Sequence, residues 1–189
     1  MNIRHQLYRH ITTPIAVFNS FYEFRKHKRR SADILLFERN LEDNLSVLHR
    51  QLKTKTYQPG QYTGFYINDP KVRLIHKAPV ADRVIHHLVS RQLERIFDPS
   101  FIAHSYSCRL NKGTHLGVAH LYRSARQVSH NYTRPCFALK CDIKKFFASV
   151  NHKILFSIIT QKVTDPDFLN LLQRIIDSFN ADSGQGLPI

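Results

Sequence analysis

Cysteine is scarce in this 189-residue sequence, the glycine-rich phosphate motifs are missing, and acidic side chains are half as numerous as basic ones. Each lack excludes something. The three cysteines, Cys108, Cys136 and Cys141, are odd in number and show no C-x-x-C spacing, which excludes a disulfide framework and a zinc knuckle and fits a reduced compartment. Neither G-x-x-x-x-G-K-[ST] nor G-x-G-x-x-G occurs, so the common nucleotide-binding loops are excluded. No apolar run approaches the length of a bilayer span, and the N-terminus, carrying Arg4, His5 and Arg9, has no apolar leader core. The expectation is a soluble, cytoplasmic protein without a membrane partner. Internal repeats and low-complexity linkers are absent too.

What is present is positive charge. Lys+Arg number 28 against 14 Asp+Glu, a formal +14 with a pI near 10. An excess of that size favours a polyanionic partner, because neutralising phosphates releases counterions and supplies affinity whatever the sequence bound. Nucleic acid is the first candidate. Apolar content of 42% and charged content of 22% are otherwise those of a globular chain long enough to bury a core.

The pattern along the chain is mostly helical. After short aromatic pieces (Phe18, Phe21, Tyr22, Phe24) and a basic run from Arg25 to Arg30, which reads as a solvated helix face or a flexible arm, one helix is predicted from Ser31 to Leu52. Its apolar positions, Ile34, Phe37, Leu41, Leu45, Leu48 and Leu52, recur every three or four residues. Residues 62–67 and 72–75 read as a hairpin around the turn residues Asn68-Asp-Pro-Lys71, with Lys71 and Arg73 at or near its tip. Arg73 alternates with Val72 and Leu74 and so points to the face opposite theirs. Pro79 introduces a helix bearing Asp82 in its first turn, where an acid suits the helix dipole, and His86 and His87 as surface or packing residues. A polar, basic loop with Arg109, Lys112, Gly113 and Thr114 then opens another helix, a weak candidate for phosphate binding. Asn151 and Asp165-Pro166 start two further helices.

The densest chemistry lies in Phe137-Ala-Leu-Lys-Cys-Asp-Ile-Lys-Lys-Phe-Phe-Ala-Ser-Val-Asn-His152. Its first half alternates as a strand does and delivers a single carboxylate, Asp142, at the strand end. A buried carboxylate there needs a cation or a basic partner, whereas an exposed one at a strand-to-loop boundary needs nothing. The pair Phe146 and Phe147 suggests core packing for at least one ring. Ser183-Gly-Gln-Gly-Leu-Pro-Ile189 reads as the lead into another element, so the sequence looks cut short.

Taken in order, six pieces resemble the amino-terminal part of bacterial reverse transcriptases, nearest to those of diversity-generating retroelements and more distantly to those of group II introns. They are Pro70-Lys-Val-Arg-Leu-Ile75, Ala78-Pro-Val-Ala-Asp-Arg-Val-Ile-His-His87, Ile96-Phe-Asp-Pro-Ser-Phe101, Ser105-Tyr-Ser-Cys-Arg109 with Lys112-Gly-Thr-His115, Leu139-Lys-Cys-Asp-Ile-Lys-Lys-Phe-Phe147 with His152, and Gly186-Leu-Pro-Ile189. The resemblance implies an α+β, helix-rich fold, a right-hand polymerase with a fingers β-hairpin and a first palm strand. Its parts would be a basic helical extension at 1–56, fingers at 57–134 and an incomplete palm at 135–189.

It further implies RNA-directed DNA synthesis with two Mg²⁺ ions. Asp142 matches the first catalytic aspartate and metal ligand, and Ile143 the backbone metal ligand. Arg73 matches the arginine that grips the triphosphate, with Lys71 as a helper. Phe147 falls at the position whose ring excludes a 2′-hydroxyl, and Gln185 and Gly186 begin the motif that supports the nucleotide. Arg109 and Lys112 correspond to template-strand or structural contacts. The implied partners are an RNA template, a DNA or RNA primer, a dNTP, and an accessory basic or retroelement-encoded protein. The family's aromatic-x-Asp-Asp hairpin does not occur in the sequence, so this chain alone is expected not to polymerise. The competing expectation is a basic RNA-binding module in which Asp142 holds no metal.

Overall fold

The computed structural model describes residues 6–68, 71–179 and 183–188. Arg4, His5, the turn residues Asp69 and Pro70, and Ile189 lie outside the described residues. In chain order the elements are α1 (Leu7–Ile11), α2 (Pro14–Arg25), α3 (Ala32–Glu38), α4 (Leu41–Lys53), β1 (Thr63–Asn68), β2 (Val72–Lys77), α5 (Val80–Phe97), α6 (Thr114–Val128), α7 (Phe146–Ser149), α8 (His152–Thr160) and α9 (Pro166–Asp177). The fold is therefore helix-rich α+β, with one two-stranded antiparallel sheet among the described residues. None of the described helices is long and apolar enough to cross a membrane. Two compact units emerge, one of residues 1–94 and 145–189, the other of 95–144.

In the first unit, Thr13 accepts the Ala16 N–H at 3.2 Å and Pro14 fills the first helical position, so α2 starts where the sequence reading had only aromatic fragments. Val17, Phe21 and Phe24 of α2 are buried, as are Leu45, Leu48 and Leu52 of α4. The single helix expected from Ser31 to Leu52 is two helices. Asn40 takes non-helical angles (φ −125°, ψ 47°), and the Asn44 side-chain amide donates to the Phe37 carbonyl at 2.9 Å, capping the end of α3. The apolar period runs through the break, with Ile34 of α3 and Leu45, Leu48 and Leu52 of α4 buried. Asn40 decides the interruption, and hydrophobic spacing does not register it.

Two buried carboxylates bracket this unit. Asp165, 5% exposed, accepts the Asp167 and Phe168 N–H groups at 3.1 Å each, capping α9, and also the Tyr8 N–H at 2.8 Å, which closes the first turn of α1. Tyr8 reaches on to donate its hydroxyl to the Leu52 carbonyl at 2.6 Å, joining the end of α4. Asp82, read from sequence as helix-end electrostatics, is 4% exposed and accepts the Tyr57 hydroxyl at 2.8 Å and the Gly60 N–H at 2.7 Å. Burial pushes the Tyr57 phenol well above its usual range, and the Asp82 charge adds to it.

The hairpin pairs as expected, from Thr63 opposite Lys77 to Asn68 opposite Val72. Its base is fixed electrostatically, with the Lys77 ammonium 2.8 Å from Asp33 and the Arg83 guanidinium on the same oxygen. Burial works against the charged form of Asp33. The ammonium of Lys77, the hydroxyl of Ser31 and the guanidinium of Arg83 outweigh it and hold the carboxyl well below the usual carboxylate range.

In the second unit a 3₁₀ turn (Asp98–Ser100) leads into an irregular loop and then α6, none of whose residues is buried. The strand expected at 137–142 does not form: residues 136–143 carry no regular structure, and Phe137 and Leu139 are 97% and 90% exposed. An alternating run becomes a strand only when another strand takes its N–H and C=O groups, and among the described residues none does.

Replacing Asp165 with Ala removes acceptors from the starts of two helices and is expected to lower unfolding stability by about 3 kcal/mol in urea denaturation, with Asp165→Asn intermediate. Asp33→Asn is expected to cost about 1 kcal/mol at pH 7, discounted for partial solvent exposure. Because the folded-state pKa of Asp33 is depressed, that stabilisation is complete above about pH 4, the unfolded value, and fades as pH falls toward the folded value. The gap between wild type and Asp33→Asn in denaturant midpoint should shrink accordingly.

Candidate functional site

The residues singled out from sequence fall into three groups. The first is on the hairpin. Arg73 stands opposite Ile67 in the register, and the pleat places it on the face of Phe65, Ile67 and Ile75, away from Val72 and Leu74. Lys71 and Arg73 are both exposed, and no side-chain hydrogen bond or ion pair among the described residues engages either. A guanidinium held on a paired strand, with its five donors unspent, is suited to a polyanion such as a triphosphate.

The second group is a short ladder. The Leu187 N–H donates to the Phe147 carbonyl at 2.8 Å, the Gly186 N–H to the Val150 carbonyl at 2.9 Å, and the His152 N–H to the Gly184 carbonyl at 3.0 Å, with Asn151 and Gln185 paired as an antiparallel bridge. Phe147, Gln185 and Gly186, separated by almost forty positions in sequence, thus share one small backbone framework. Phe146 and Phe147 meet edge to face with ring centroids 5.4 Å apart, and both are about half exposed (50% and 46%). Neither ring is core, contrary to the expectation that one of them packs inside.

Asn151 caps α8 as anticipated, accepting the Ile154 N–H at 3.1 Å. The next residue, His152, is buried and donates from Nε2 to the Gly186 carbonyl at 2.7 Å. Its Nδ1 lies 3.7 Å from Asp177 Oδ1. Sequence reading placed His152 in a motif without giving it a role, since nothing local announces a partner 34 residues further on.

The third group lies in the second unit. Asp142 is exposed, as is Ile143 beside it at 68%, so the carboxylate is not the desolvated strand-end group first considered. It is set apart from its peers. Glu23, Asp33, Glu38, Glu94, Asp98 and Asp167 pair with basic side chains, Asp82, Asp165 and Asp177 accept hydrogen bonds, and Glu42 and Asp43 sit in the first turn of α4. Among the described residues, Asp142 is the acid with none of these engagements.

Arg109 is the reverse case. Its Nε and Nη2 bond the Asp98 carboxylate at 2.6 and 3.2 Å, Nη2 also reaches the Asp98 carbonyl, and Nη1 reaches the carbonyls of Ile102 and Ser105, all at 3.1 Å. Five N–H groups meet five acceptors. Lys112 donates to the Ala103 carbonyl at 2.9 Å and the Gly113 N–H to the Tyr106 carbonyl at 3.0 Å. The loop spends its donors on itself, which leaves the suggested phosphate site at Gly113 without its amide.

With this geometry in hand, known proteins offer a comparison. No family model matches the chain. It is 24% identical over 151 residues to Protein YkfC of Escherichia coli K12, an alignment covering 79% of this chain and 39% of that protein. It is 22% identical over 177 residues to the group II intron-encoded protein LtrA of Lactococcus lactis subsp. cremoris, covering 90% of this chain and 28% of that protein. The relationship is distant. The chain spans well under half the length of these relatives.

Because the Arg109 fork organises residues 98–109, Arg109→Lys should loosen the loop while leaving the first unit intact. Amide hydrogen exchange is expected to rise several-fold across 98–113 and to stay unchanged in α4 and α9.

Proposed function

We propose that this chain is the fingers and first palm portion of an RNA-directed DNA polymerase of the retroelement type, with residues 57–134 as fingers, 135–189 as the beginning of the palm and 1–56 as a basic extension. The observation that carries the reading is Asp142, an unengaged carboxylate at the motif position of a metal-binding aspartate, in a chain distantly similar over 90% of its length to a group II intron-encoded protein. Hard oxygen donors, the Asp142 carboxylate and the Ile143 carbonyl, fit Mg²⁺. Bound in a complete site, two such ions would supply charge stabilisation for an in-line phosphoryl transfer.

The chain's own residues do the binding and sorting. Arg73, helped by Lys71, holds the triphosphate through charge-assisted hydrogen bonds. The Phe147 ring stands where a ribose 2′-hydroxyl would go, and the main chain at Gln185 and Gly186 supports the nucleotide beside it. Arg109 and Lys112 fix the loop of 98–113, a positional role consistent with the fully engaged Arg109 fork and the Lys112 bond to Ala103. An RNA template paired with a DNA or RNA primer meets the basic surface, in the cytoplasm, with an accessory basic or retroelement-encoded protein as a further partner. One carboxylate does not hold two ions in the geometry that displacement needs, so the activity belongs to a complete site and this chain alone lacks it. A second reading, an RNA-binding module without catalysis, draws on the net charge of +14 and on the exposed run from Lys26 to Arg30.

Primer extension on an RNA template with Mg²⁺ and dNTPs should give no product from residues 1–189; robust extension would overturn the incomplete site. Titration with a Mg²⁺-dNTP should show binding that Arg73→Ala weakens at least tenfold, about 1.4 kcal/mol, and that Asp142→Asn weakens less, because a single exposed carboxylate adds little on its own. Salt-dependent RNA binding indifferent to Asp142→Asn and to Mg²⁺, with no dNTP binding, would favour the second reading.

A further inference from the structure

Residues 184–187 are an improbable segment to hold still. Gly184 and Gly186 both take positive φ, 60° and 97°, the region that glycine enters freely and that costs it most entropy to fix. Gly186 is nevertheless buried, so its carbonyl has to find a donor inside the protein. The donor is His152. The imidazole is 3% exposed and Nε2 stands 2.7 Å from the Gly186 oxygen. A carbonyl only accepts, so Nε2 carries the proton and the ring's tautomer is fixed by this bond.

The other ring nitrogen sets no competing orientation. Nδ1 is buried without a hydrogen-bond partner, and the Asp177 oxygen at 3.7 Å is beyond bonding distance. Among the described residues the ring's one hydrogen bond is therefore the one to Gly186, and the imidazole hangs from the first residue of α8, whose start the Asn151 cap marks. Backbone bonds flank it on both sides, His152 N–H to Gly184 and Gly186 N–H to Val150. Between the two tied glycines, Gln185 stays exposed.

We infer that His152 is a positioning residue, a latch that holds the main chain of 184–187 against 147–152 and so presents Gln185 and the Phe147 ring in one fixed relation. That the presented surface receives a nucleotide rests on the function proposed above. The latch itself rests on the Gly186 bond.

The test pairs His152→Phe, which keeps the buried ring and loses the donor, with His152→Gln, whose side-chain amide places an N–H near the position of Nε2. Amide hydrogen exchange at Gly186 and Leu187 should accelerate at least tenfold in His152→Phe, with the core amides of Ile159 and Leu172 unchanged, and should return toward wild type in His152→Gln. The affinity for a Mg²⁺-dNTP should fall and recover in the same order. Unchanged exchange at Gly186 and Leu187 in His152→Phe, or no recovery in His152→Gln, overturns the latch. If His152→Phe does not fold, long-range ¹⁵N correlation on the wild-type protein decides: a protonated Nε2 bonded to Gly186 supports the latch, and an Nε2 without a proton overturns it. Exchange behaving as expected while the wild type binds no dNTP supports the latch and overturns the nucleotide reading instead.

Discussion

One carboxylate, Asp165, sits where the start of the described chain meets its last long helix. It closes the N-terminus of α9 through two backbone amides and that of α1 through a third. Removing it would leave orphan donors at both helix starts, two of them buried away from water. The packing of α1 joins this acceptor to apolar burial, since three of its five residues, Leu7, Tyr8 and Ile11, are buried. Tyr8 then carries the constraint on to α4 through the Leu52 carbonyl. Three elements far apart in sequence are registered by one acid and one phenol.

The shortage of acids makes this use of them informative. Fourteen acids face 28 strong bases, and the structure spends nearly all it describes on internal tasks: Asp165 and Asp82 as buried acceptors, Asp33 as a clamp on the hairpin base, Asp98 as the counterion of Arg109. The consequence is a division of labour among the cations as well. Lys77, Arg83 and Arg109 are neutralised and structural, whereas Lys71 and Arg73 are left to face solvent on a strand whose base is pinned. A cation free at the tip and paired at the base keeps its direction without losing its charge. Under the proposed function, that is what a group holding a mobile anion would require.

Local chemistry was legible in the sequence and long-range chemistry was not. The hairpin, the Asn151 cap and the Asp165-Pro166 helix start all follow from residues within a few positions of one another, and all appear. The break at Asn40 was hidden because the apolar period is indifferent to it, and α2 was missed although Thr13-Pro14 is an ordinary helix start. Asp82 looked like a helix-dipole residue because its position alone suggests that; Tyr57 and Gly60, 25 and 22 residues earlier, make it a buried hub. In the candidate site, Phe147 and Gln185 were identified separately, and the bond that brings their neighbourhoods together, His152 to Gly186, spans 34 residues. Periodicity carries no information at that separation.

The run around Asp142 shows the same distinction in energetic form. Its alternation of Phe137, Leu139 and Cys141 with Ala138, Lys140 and Asp142 encodes a strand, yet residues 136–143 stand unpaired and exposed among the described residues. Fixing a residue's backbone costs about 1 to 2 kcal/mol, so ordering a run of this length opposes any ligand by several kcal/mol unless neighbouring strands have already done it. Coulombic attraction between an exposed carboxylate and a hydrated divalent ion is too weak in water to meet that cost. Under the proposed function, then, the affinity of Asp142 for a metal is set less by the carboxylate than by whatever pairs with 137–143. Under that reading, a strand pairing with 137–143 would supply the ordering that the carboxylate's own attraction does not.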